Sequence, residues 1–257
     1  MTFAGTDLAY DRFMGRYSSR LAPLFADFAG IEAAMTVLDV GCGPGALTGE
    51  LVRRAGEERV AAADPTEQFV SACRARFPGT RVEQAPAEEL PFADGDFDAA
   101  LAQLVVAFMS DGVAGVREMA RVTRAGGVVA ACMWVIGPEM ELLHVVHGAG
   151  AAIAPDHPYV NAAQRYRSEP ELLELFEAAG IRDVESGSLV VSSEYADFDE
   201  LWDSVVGGAG PIGDLLRTLD ADGVESFRSE VHERLGDRGA PFTLSGRALA
   251  IRGVSRS

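Results

Sequence analysis

The sequence predicts an α/β protein with a Rossmann-like, seven-stranded, mostly parallel sheet. Two observations support this fold class. Between residues 36 and 134, short apolar segments of strand length alternate with amphipathic helical segments, as in βαβ units. In addition, the first of these strands runs directly into a glycine-rich turn and then a helix, as nucleotide-binding sheets do. A chain of 257 residues suits one such domain, and we expect residues 1–257 to form it.

The N-terminal region is predicted to be helical. In residues 7–29 the apolar side chains of Leu21, Leu24, Phe25 and Phe28 recur at helical spacing, and Gly15 is expected to break the segment in two. The alternation of strands and helices begins after it. We predict strands at 36–40, 59–63, 81–85, 97–102 and 127–134, and helices at 46–55, 66–77 and 113–122.

The C-terminal half contains two further strands and a long helical insertion. Ser168-Glu169-Pro170-Glu171 forms a capping box that opens a helix ending at Gly180. Strands are predicted at 183–192 and 241–252. The helical segment between them, residues 193–240, far exceeds an ordinary connection of about 2–6 residues. We therefore predict a lid or a pocket wall there, with a flexible joint at Gly207–Pro211.

The charge balance excludes several classes of function. All 22 basic residues are arginine, so Schiff-base enzymes and enzymes that need a phosphate-binding lysine are excluded. A net charge of −17 argues against a nucleic-acid partner and against a polybasic membrane anchor. We expect the acidic surface to serve solubility.

The cysteines and the hydropathy pattern point to the cytoplasm. Cys42, Cys73 and Cys132 are odd in number and widely spaced, which fits reduced thiols and neither a disulfide framework nor a zinc site. No apolar run approaches the length of a membrane span, and the N-terminus does not have the pattern of an export signal. We expect a cytoplasmic protein without a membrane partner.

The segment from Asp39 to Gly45, Asp-Val-Gly-Cys-Gly-Pro-Gly, carries the chemistry. Gly41 and Gly43 lack the Cβ atoms that would keep a ligand from the backbone, although Gly41-x-Gly43-x-x-Ala46 also fits an NAD-binding fingerprint. Asp64, at the end of the second strand, is placed to accept from both ribose hydroxyls. Asp39 would repel a pyrophosphate and attract an ammonium group, which favours S-adenosylmethionine over NAD.

Three further segments agree with this interpretation: Ala87-Glu88-Glu89-Leu90-Pro91-Phe92, Asp96-Phe97-Asp98 and Arg124-Ala125-Gly126-Gly127. Together with the glycine turn, they resemble class I S-adenosylmethionine-dependent methyltransferases, in particular the small-molecule group related to ubiquinone/menaquinone-biosynthesis methyltransferases. The resemblance covers residues 10–135. Residues 171–253 are similar to a looser subgroup typical of high-GC bacteria. The resemblance implies the strand order 3-2-1-4-5-7-6 with an antiparallel last strand.

The resemblance also implies roles for individual residues. Asp39 and the Gly41 carbonyl would hold the methionine ammonium, Gly43 would pass beneath the sulfonium, and Asp64 would bind the ribose. Pro65 or Phe69 would flank the adenine, and the Ala87 N–H would donate to it, with Glu88 alongside. Gln103 would contact the cofactor and begin the substrate pocket. Residues 1–30 would form a helical flap, in which Tyr10 and Arg16 bind the methionine carboxylate. The family often has Asp before the alanine, whereas this chain has Pro86.

A catalytic base is expected only if the acceptor arrives protonated with a high pKa. His144 and His147 share one face of a predicted helix after the fifth strand and are the candidates. The alternative, which we favour over a general base, is that both are polar residues of a partly apolar helix. A metal site is not expected, because the pair has no obvious third ligand.

The predicted function is therefore methyl transfer to a small organic acceptor, at an O, N or C atom that the sequence does not specify, achieved mainly by positioning. The alternative is an S-adenosylmethionine-binding cyclase or isomerase of a biosynthetic pathway. A non-catalytic partner of another methyltransferase and an NAD-dependent oxidoreductase are two weaker alternatives. We expect a small-molecule substrate and no nucleic acid, and a homodimer is compatible with this interpretation.

Overall fold

The computed structural model describes residues 11–161, 165–207 and 210–256. The chain forms two compact units, which we name by their content. The sheet unit comprises residues 18–134, 165–189 and 248–257, and the helical unit comprises residues 1–17, 135–164 and 190–247.

Seven strands form one sheet in the order β3-β2-β1-β4-β5-β7-β6. In chain order they are β1 (Val37–Val40), β2 (Val60–Asp64), β3 (Arg81–Gln84), β4 (Phe97–Gln103), β5 (Thr123–Trp134), β6 (Arg182–Tyr195) and β7 (Phe242–Val254). The pairs from β3 to β5 are parallel, and β7 runs antiparallel to β5. The predicted fold class and strand order are confirmed.

The centre of the sheet positions the candidate site. β1 lies between β2 and β4, with Asp39 aligned with Ala62 on one side and with Leu101 on the other. The strand order reverses at this point, because the chain moves outward from β1 to β3 and then returns to place β4 on the opposite side. In open parallel sheets, ligands bind beyond the carboxyl ends of the strands at such a reversal.

Ten α-helices are assigned within the described residues. They are α1 (Arg16–Phe28), α2 (Ala46–Ala55), α3 (Glu67–Arg76), α4 (Gly112–Val122), α5 (Glu141–Ile153), α6 (Pro158–Asn161), α7 (Glu169–Ala179), α8 (Phe198–Val206), α9 (Gly210–Thr218) and α10 (Ala221–Leu235). One π-helical turn, Asp11–Gly15, leads directly into α1, so the expected break at Gly15 is wrong: the chain stays helical and only the type of helix changes there. The main core of the sheet unit consists of apolar side chains from β1, β4, β5, α4 and α7, which are almost fully buried.

The capping box at the start of α7 is formed as predicted. Both the backbone N–H and the hydroxyl of Ser168 donate to Glu171 Oε2, at 3.0 and 2.8 Å. Pro170 stands in the first turn, where its missing N–H leaves no intrahelical bond unmade. The helix ends at Gly180 in the left-handed conformation.

Most predicted strand boundaries differ from the structure by one to three residues, and the start of β5 differs by four. β5 begins at Thr123, four residues before the predicted residue 127, because Thr123 pairs with Phe97 ahead of a register shift. The predicted joint at Gly207–Pro211 falls partly on residues 208 and 209, which lie outside the described residues. From Gly210 onward the chain is helical, with Pro211 in the first turn of α9. Across the described parts of the chain, no helix has the length and hydropathy to span a membrane.

Candidate active site

The glycine turn, residues 41–45, connects β1 to α2. Gly41, Gly43 and Gly45 have φ angles of 72°, 53° and 100°, in the left-handed region that favours glycine. A Cβ atom on Gly41 would lie 2.5 Å from both γ-carbons of Val105, and one on Gly45 would lie 2.7 Å from the Phe77 ring. A Cβ on Gly43 would meet no atom within 4 Å. Close packing therefore requires the outer two glycines, whereas Gly43 faces open space that a ligand can enter.

Asp39 is a buried carboxyl group beneath this turn. Its side chain is 1% exposed, and its Oδ2 accepts a hydrogen bond from the Thr48 hydroxyl at 2.6 Å. Burial, opposed by the hydrogen bonds from Thr48 and assisted by the charge of Asp64, raises the Asp39 pKa from 3.8 to about 7. No ion pair with Asp39 occurs among the described residues, so its charge is not neutralised by a neighbouring cation.

Asp64 is a second buried carboxyl group, and it binds the backbone of the glycine turn. It ends β2, is 6% exposed, and accepts from the N–H of Gly43 at 3.0 Å through Oδ2 and from the N–H of Thr66 at 2.8 Å through Oδ1. Burial raises its pKa despite these backbone hydrogen bonds. Because each carboxylate oxygen has two lone-pair sites, both oxygens keep one for a ligand hydroxyl.

Gln103 contributes an acceptor that has no hydrogen-bond partner. It ends β4, the neighbour of β1, and its Nε2 donates to the Ser18 carbonyl at 3.1 Å. That bond fixes the amide, and the buried Oε1 on its other side has no hydrogen-bond partner within the described structure. Buried amide oxygens are rarely left unsatisfied, so this atom indicates a donor supplied by a ligand.

The positions implied for adenine are arranged along the ends of β2 and β3. Pro65 is exposed, whereas Phe69 and Ala87 are buried. Glu88 accepts the backbone N–H of Asp111 at 3.0 Å through Oε1, which holds it at the start of α4. Pro86 is exposed and has no side-chain acceptor. An adenine amino group would therefore have to rely on Glu88 or on backbone carbonyls.

Arg16 has several partners within the helical unit. Its guanidinium donates to Glu200 Oε1 at 2.7 Å and to the Glu194 carbonyl at 3.1 Å, and it lies 4.2 Å from the centre of the Tyr195 ring. The ion pair with Glu200 takes the place that a ligand carboxylate would have on this guanidinium. Tyr10 lies outside the described residues. The carboxylate-binding role of these two residues stays a prediction.

His144 and His147 lie on α5, in the helical unit. His144 is exposed and His147 is half-buried. The expected helix is present. Neither histidine belongs to the sheet unit, which contains the glycine turn, Asp39 and Asp64. Their role as a general base stays a prediction. Among the described residues, no group of three His, Cys, Asp or Glu side chains is arranged to hold a metal ion.

Three features of the site were not foreseen from the sequence. The partner of Asp39 is Thr48, in the first turn of α2, and the Cys73 thiol on α3 donates to the Thr48 hydroxyl across 3.7 Å. Leu104, directly after Gln103, has a φ of 63°, which is unfavourable for a side chain of its size. The spacing of Thr48 from Asp39 was visible in the sequence, but only the fold brings Cys73 to it.

The arrangement fits a cofactor with cationic and hydroxyl groups. Two buried carboxyl groups without a cationic partner, an amide oxygen without a donor and an open glycine meet at the carboxyl ends of β1, β2 and β4. An ammonium group would supply the missing positive charge and the missing donors. A pyrophosphate would be repelled by both carboxylates.

Comparisons with known proteins agree with this geometry. Residues 38–131 match the methyltransferase domain family Methyltransf_11. An uncharacterized methyltransferase of Mycobacterium sp. (strain JLS) is 38% identical over 152 residues, which are 55% of this chain and 59% of the relative. The chain thus spans less than two thirds of that relative's length.

Solved structures share the fold at low sequence identity. A putative methyltransferase from an antibiotic biosynthesis pathway of Anabaena variabilis superposes with a TM-score of 0.64 at 16% identity, covering 90% of this chain and 96% of the other. The [4+2]-cyclase SpnF superposes with a TM-score of 0.56 at 18% identity, covering 93% and 82%. These structures share the fold of this chain, and the family matched over residues 38–131 is that of a methyltransferase domain.

Proposed function

We propose that this protein binds S-adenosylmethionine at the glycine turn and transfers its methyl group to a small organic acceptor. The observation that carries the proposal is the pair of buried carboxyl groups, Asp39 and Asp64, on either side of the open Gly43. Burying two acidic groups without a cation costs stability. A site with this cost is best explained by a cationic ligand.

In this proposal, different residues bind different parts of S-adenosylmethionine. Asp39 and the Gly41 carbonyl would hold the ammonium, with Gln103 Oε1 as a further acceptor close to the same strand ends. Asp64 would accept from the ribose hydroxyls through the lone pairs that Gly43 and Thr66 leave unused. Pro65, Ala87 and Glu88 would surround the adenine. Tyr10 and Arg16 would bind the carboxylate, for which Arg16 would have to exchange its contact with Glu200.

The chemistry requires little from the protein beyond placement. When bound, the cofactor supplies a methyl group on a positively charged sulfur, which is already activated for transfer. The protein has to hold the acceptor in line with that group and to keep water away, which suffices for a large rate enhancement. His144 or His147 would remove a proton where the acceptor is a hydroxyl or a protonated amine.

A cyclase or isomerase that uses the same ligand is the second candidate. It is favoured by one observation, namely that the solved structure of a [4+2]-cyclase shares the fold over 93% of this chain. In that case Asp39 and Asp64 would keep their roles, and no methyl group would be transferred. The acidic composition favours a small molecule over a nucleic acid as the substrate. Cytoplasmic location and homodimer formation remain predictions, and the homodimer is testable by light scattering.

Calorimetry with S-adenosylhomocysteine tests the ligand. We expect the wild-type protein to bind it and the Asp64→Ala variant to lose at least about tenfold in affinity, because two hydroxyl contacts to a charged acceptor are removed. Asp94→Ala is the matched control, since Asp94 is an exposed aspartate that pairs with Arg121. Absence of binding by the wild-type protein, or equal affinity of all three proteins, would refute the proposal.

Methyl-labelled cofactor then separates the two candidates. The label would be followed in incubations with a set of small phenols, amines and quinols. Transfer to any of them supports a methyltransferase. Binding without transfer across the whole set, together with conversion of a polyene by the unlabelled complex, supports the cyclase.

A further inference from the structure

Two buried side chains, Cys73 and Thr48, form a row of hydrogen bonds that ends on the Asp39 carboxylate. The Cys73 thiol lies 3.7 Å from the Thr48 hydroxyl oxygen, that hydroxyl lies 2.6 Å from Asp39 Oδ2, and Cys42 belongs to the same buried cluster as Cys73. Thr48 and Cys73 are fully buried, and Cys42 is 6% exposed. These residues come from four different parts of the chain: β1, the glycine turn, α2 and α3.

The direction of the chain follows from the number of hydrogens. A threonine hydroxyl has one hydrogen to donate and lone pairs to accept with. Because the Asp39 carboxylate can only accept when ionised, the Thr48 hydrogen points to it, and the oxygen of Thr48 is left to accept from Cys73. Each hydrogen bond in such a row polarises the next, which strengthens the last one.

We propose that Thr48, oriented by Cys73, is a positioning residue that holds the Asp39 carboxylate in its charged, ligand-ready form. The inference rests on the proposed function for its purpose, but its geometry is independent of any ligand. No other side chain in the described structure donates to Asp39. Asp64 on β2 repels the charge of Asp39. Arg76 on α3 is a cation close enough to lower the pKa of the Cys73 thiol, and its guanidinium donates to the Pro44 carbonyl at 2.9 Å.

The arrangement explains how a group so deeply buried could ionise near neutral pH. Desolvation favours the protonated carboxyl, and the hydrogen bonds from Thr48 are the two influences that favour the anion. Removing the hydroxyl would leave the carboxyl buried with less compensation. The ammonium of the ligand would then meet a neutral acid over a wider range of pH.

Titration of the carboxyl carbon of Asp39 by NMR, in the ligand-free protein, is the direct test. Thr48→Val removes the hydroxyl and keeps the shape of the side chain. We expect the titration midpoint to rise by about one to two pH units, the equivalent of a ten- to hundredfold change in proton affinity. Thr48→Ser restores the hydroxyl and should return the midpoint to near its wild-type value.

Thr123→Val is the matched control. Thr123 is as deeply buried as Thr48, but its hydroxyl donates to the Met119 carbonyl, away from the glycine turn. It should leave the Asp39 midpoint unchanged. If Thr48→Val does not fold, Cys73→Ala takes its place, and we expect a smaller rise in the same direction. An unchanged midpoint in every foldable variant would overturn the inference.

Calorimetry with S-adenosylhomocysteine as a function of pH links the geometry to binding. Wild-type affinity should increase as Asp39 ionises, and in Thr48→Val the same increase should occur about one pH unit or more higher. Wild-type protein that binds no S-adenosylhomocysteine would refute the proposed function, and the NMR titration would still decide the role of Thr48. Binding with identical pH profiles in wild type and Thr48→Val would refute the positioning role alone.

Discussion

Replacing Asp39 with asparagine measures what its buried charge costs the fold. The side chain is 1% exposed, and burial raises its pKa from 3.8 to about 7. Asparagine has nearly the same shape and keeps an oxygen that can accept from the Thr48 hydroxyl, but it carries no charge at any pH. The substitution therefore removes the ionisation and leaves most of the packing in place.

The sign and size of the effect follow from linkage. Between the unfolded pKa of 3.8 and the folded pKa of about 7, the folded wild-type protein retains a proton that the unfolded chain releases. The contribution of Asp39 to the free energy of unfolding therefore falls as pH rises through this window. A difference of about three units corresponds to a ceiling of about 4 kcal/mol. Relative to wild type, Asp39→Asn should gain stability with rising pH, by up to this amount between about pH 4 and pH 8.

Urea denaturation at several pH values is the assay. Burying the amide group changes the free energy of unfolding of the variant by the same amount at every pH. The test is therefore how the difference in the free energy of unfolding between variant and wild type changes with pH. Asp98→Asn is a control of opposite sign, because Arg124 and Thr36 lower the Asp98 pKa, and its removal should cost more stability as pH rises. A difference between Asp39→Asn and wild type that does not vary with pH would refute the burial argument.

Three further predictions concern the turn, a helix cap and the histidines. Gly41→Ala should lose measurable S-adenosylhomocysteine binding and destabilise the fold by at least about 1–2 kcal/mol, because a residue in the left-handed conformation would gain a Cβ that overlaps Val105. Calorimetry measures the binding and urea denaturation measures the stability. The control is Gly56→Ala, where the added Cβ meets no atom within 4 Å. Ser168→Ala should lower the free energy of unfolding by about 1 kcal/mol, because it removes one hydrogen bond of the α7 capping box. Ligand affinity, measured by calorimetry, should not change. A loss of affinity would contradict a purely structural role for that helix. If His144 or His147 is the base, its replacement by alanine should lower the rate of methyl transfer by about a hundredfold or more, with little change in ligand affinity. The control is His232→Ala, which removes a histidine packed against Phe198 and should not lower the rate. Equal rates in all three variants would exclude a base at either histidine.

The sheet could be predicted in detail because its signals are local. The apolar run of β5 and the change from a strand to glycines after Val40 depend only on neighbouring residues, and the boundaries they predict differ from the structure by a few residues. The strand order came from the resemblance, since pairing between distant strands leaves no local signal. The start of β5 was predicted too late for the same reason, as Thr123 joins the sheet only through its pairing with Phe97.

The site was predicted in part. Glycines and acidic residues at strand ends identify a ligand turn, so Gly41, Gly43, Asp39 and Asp64 could be selected from spacing alone. The hydrogen bond between Cys73 and Thr48 joins α3 to α2 and could not be predicted, because the two residues are brought together only by packing against the sheet. Arg16 illustrates the reverse case. The resemblance implied that it binds a ligand carboxylate, and that role stays a prediction, but its ion pair with Glu200, a residue far away in the sequence, could not be predicted.

The backbone of the glycine turn also limits what this site could be redesigned to bind. The N–H groups of Gly41 and Cys42 both donate to the Ala63 carbonyl, and that of Gly43 donates to Asp64. Phosphate-binding turns work by directing such N–H groups outward at the anion. Removing the Asp39 charge would therefore not convert this turn into a dinucleotide site, because its donors are already committed to β2. A change of cofactor would require the end of β2 to be rebuilt together with the turn, so specificity here is a property of two strands and not of one residue.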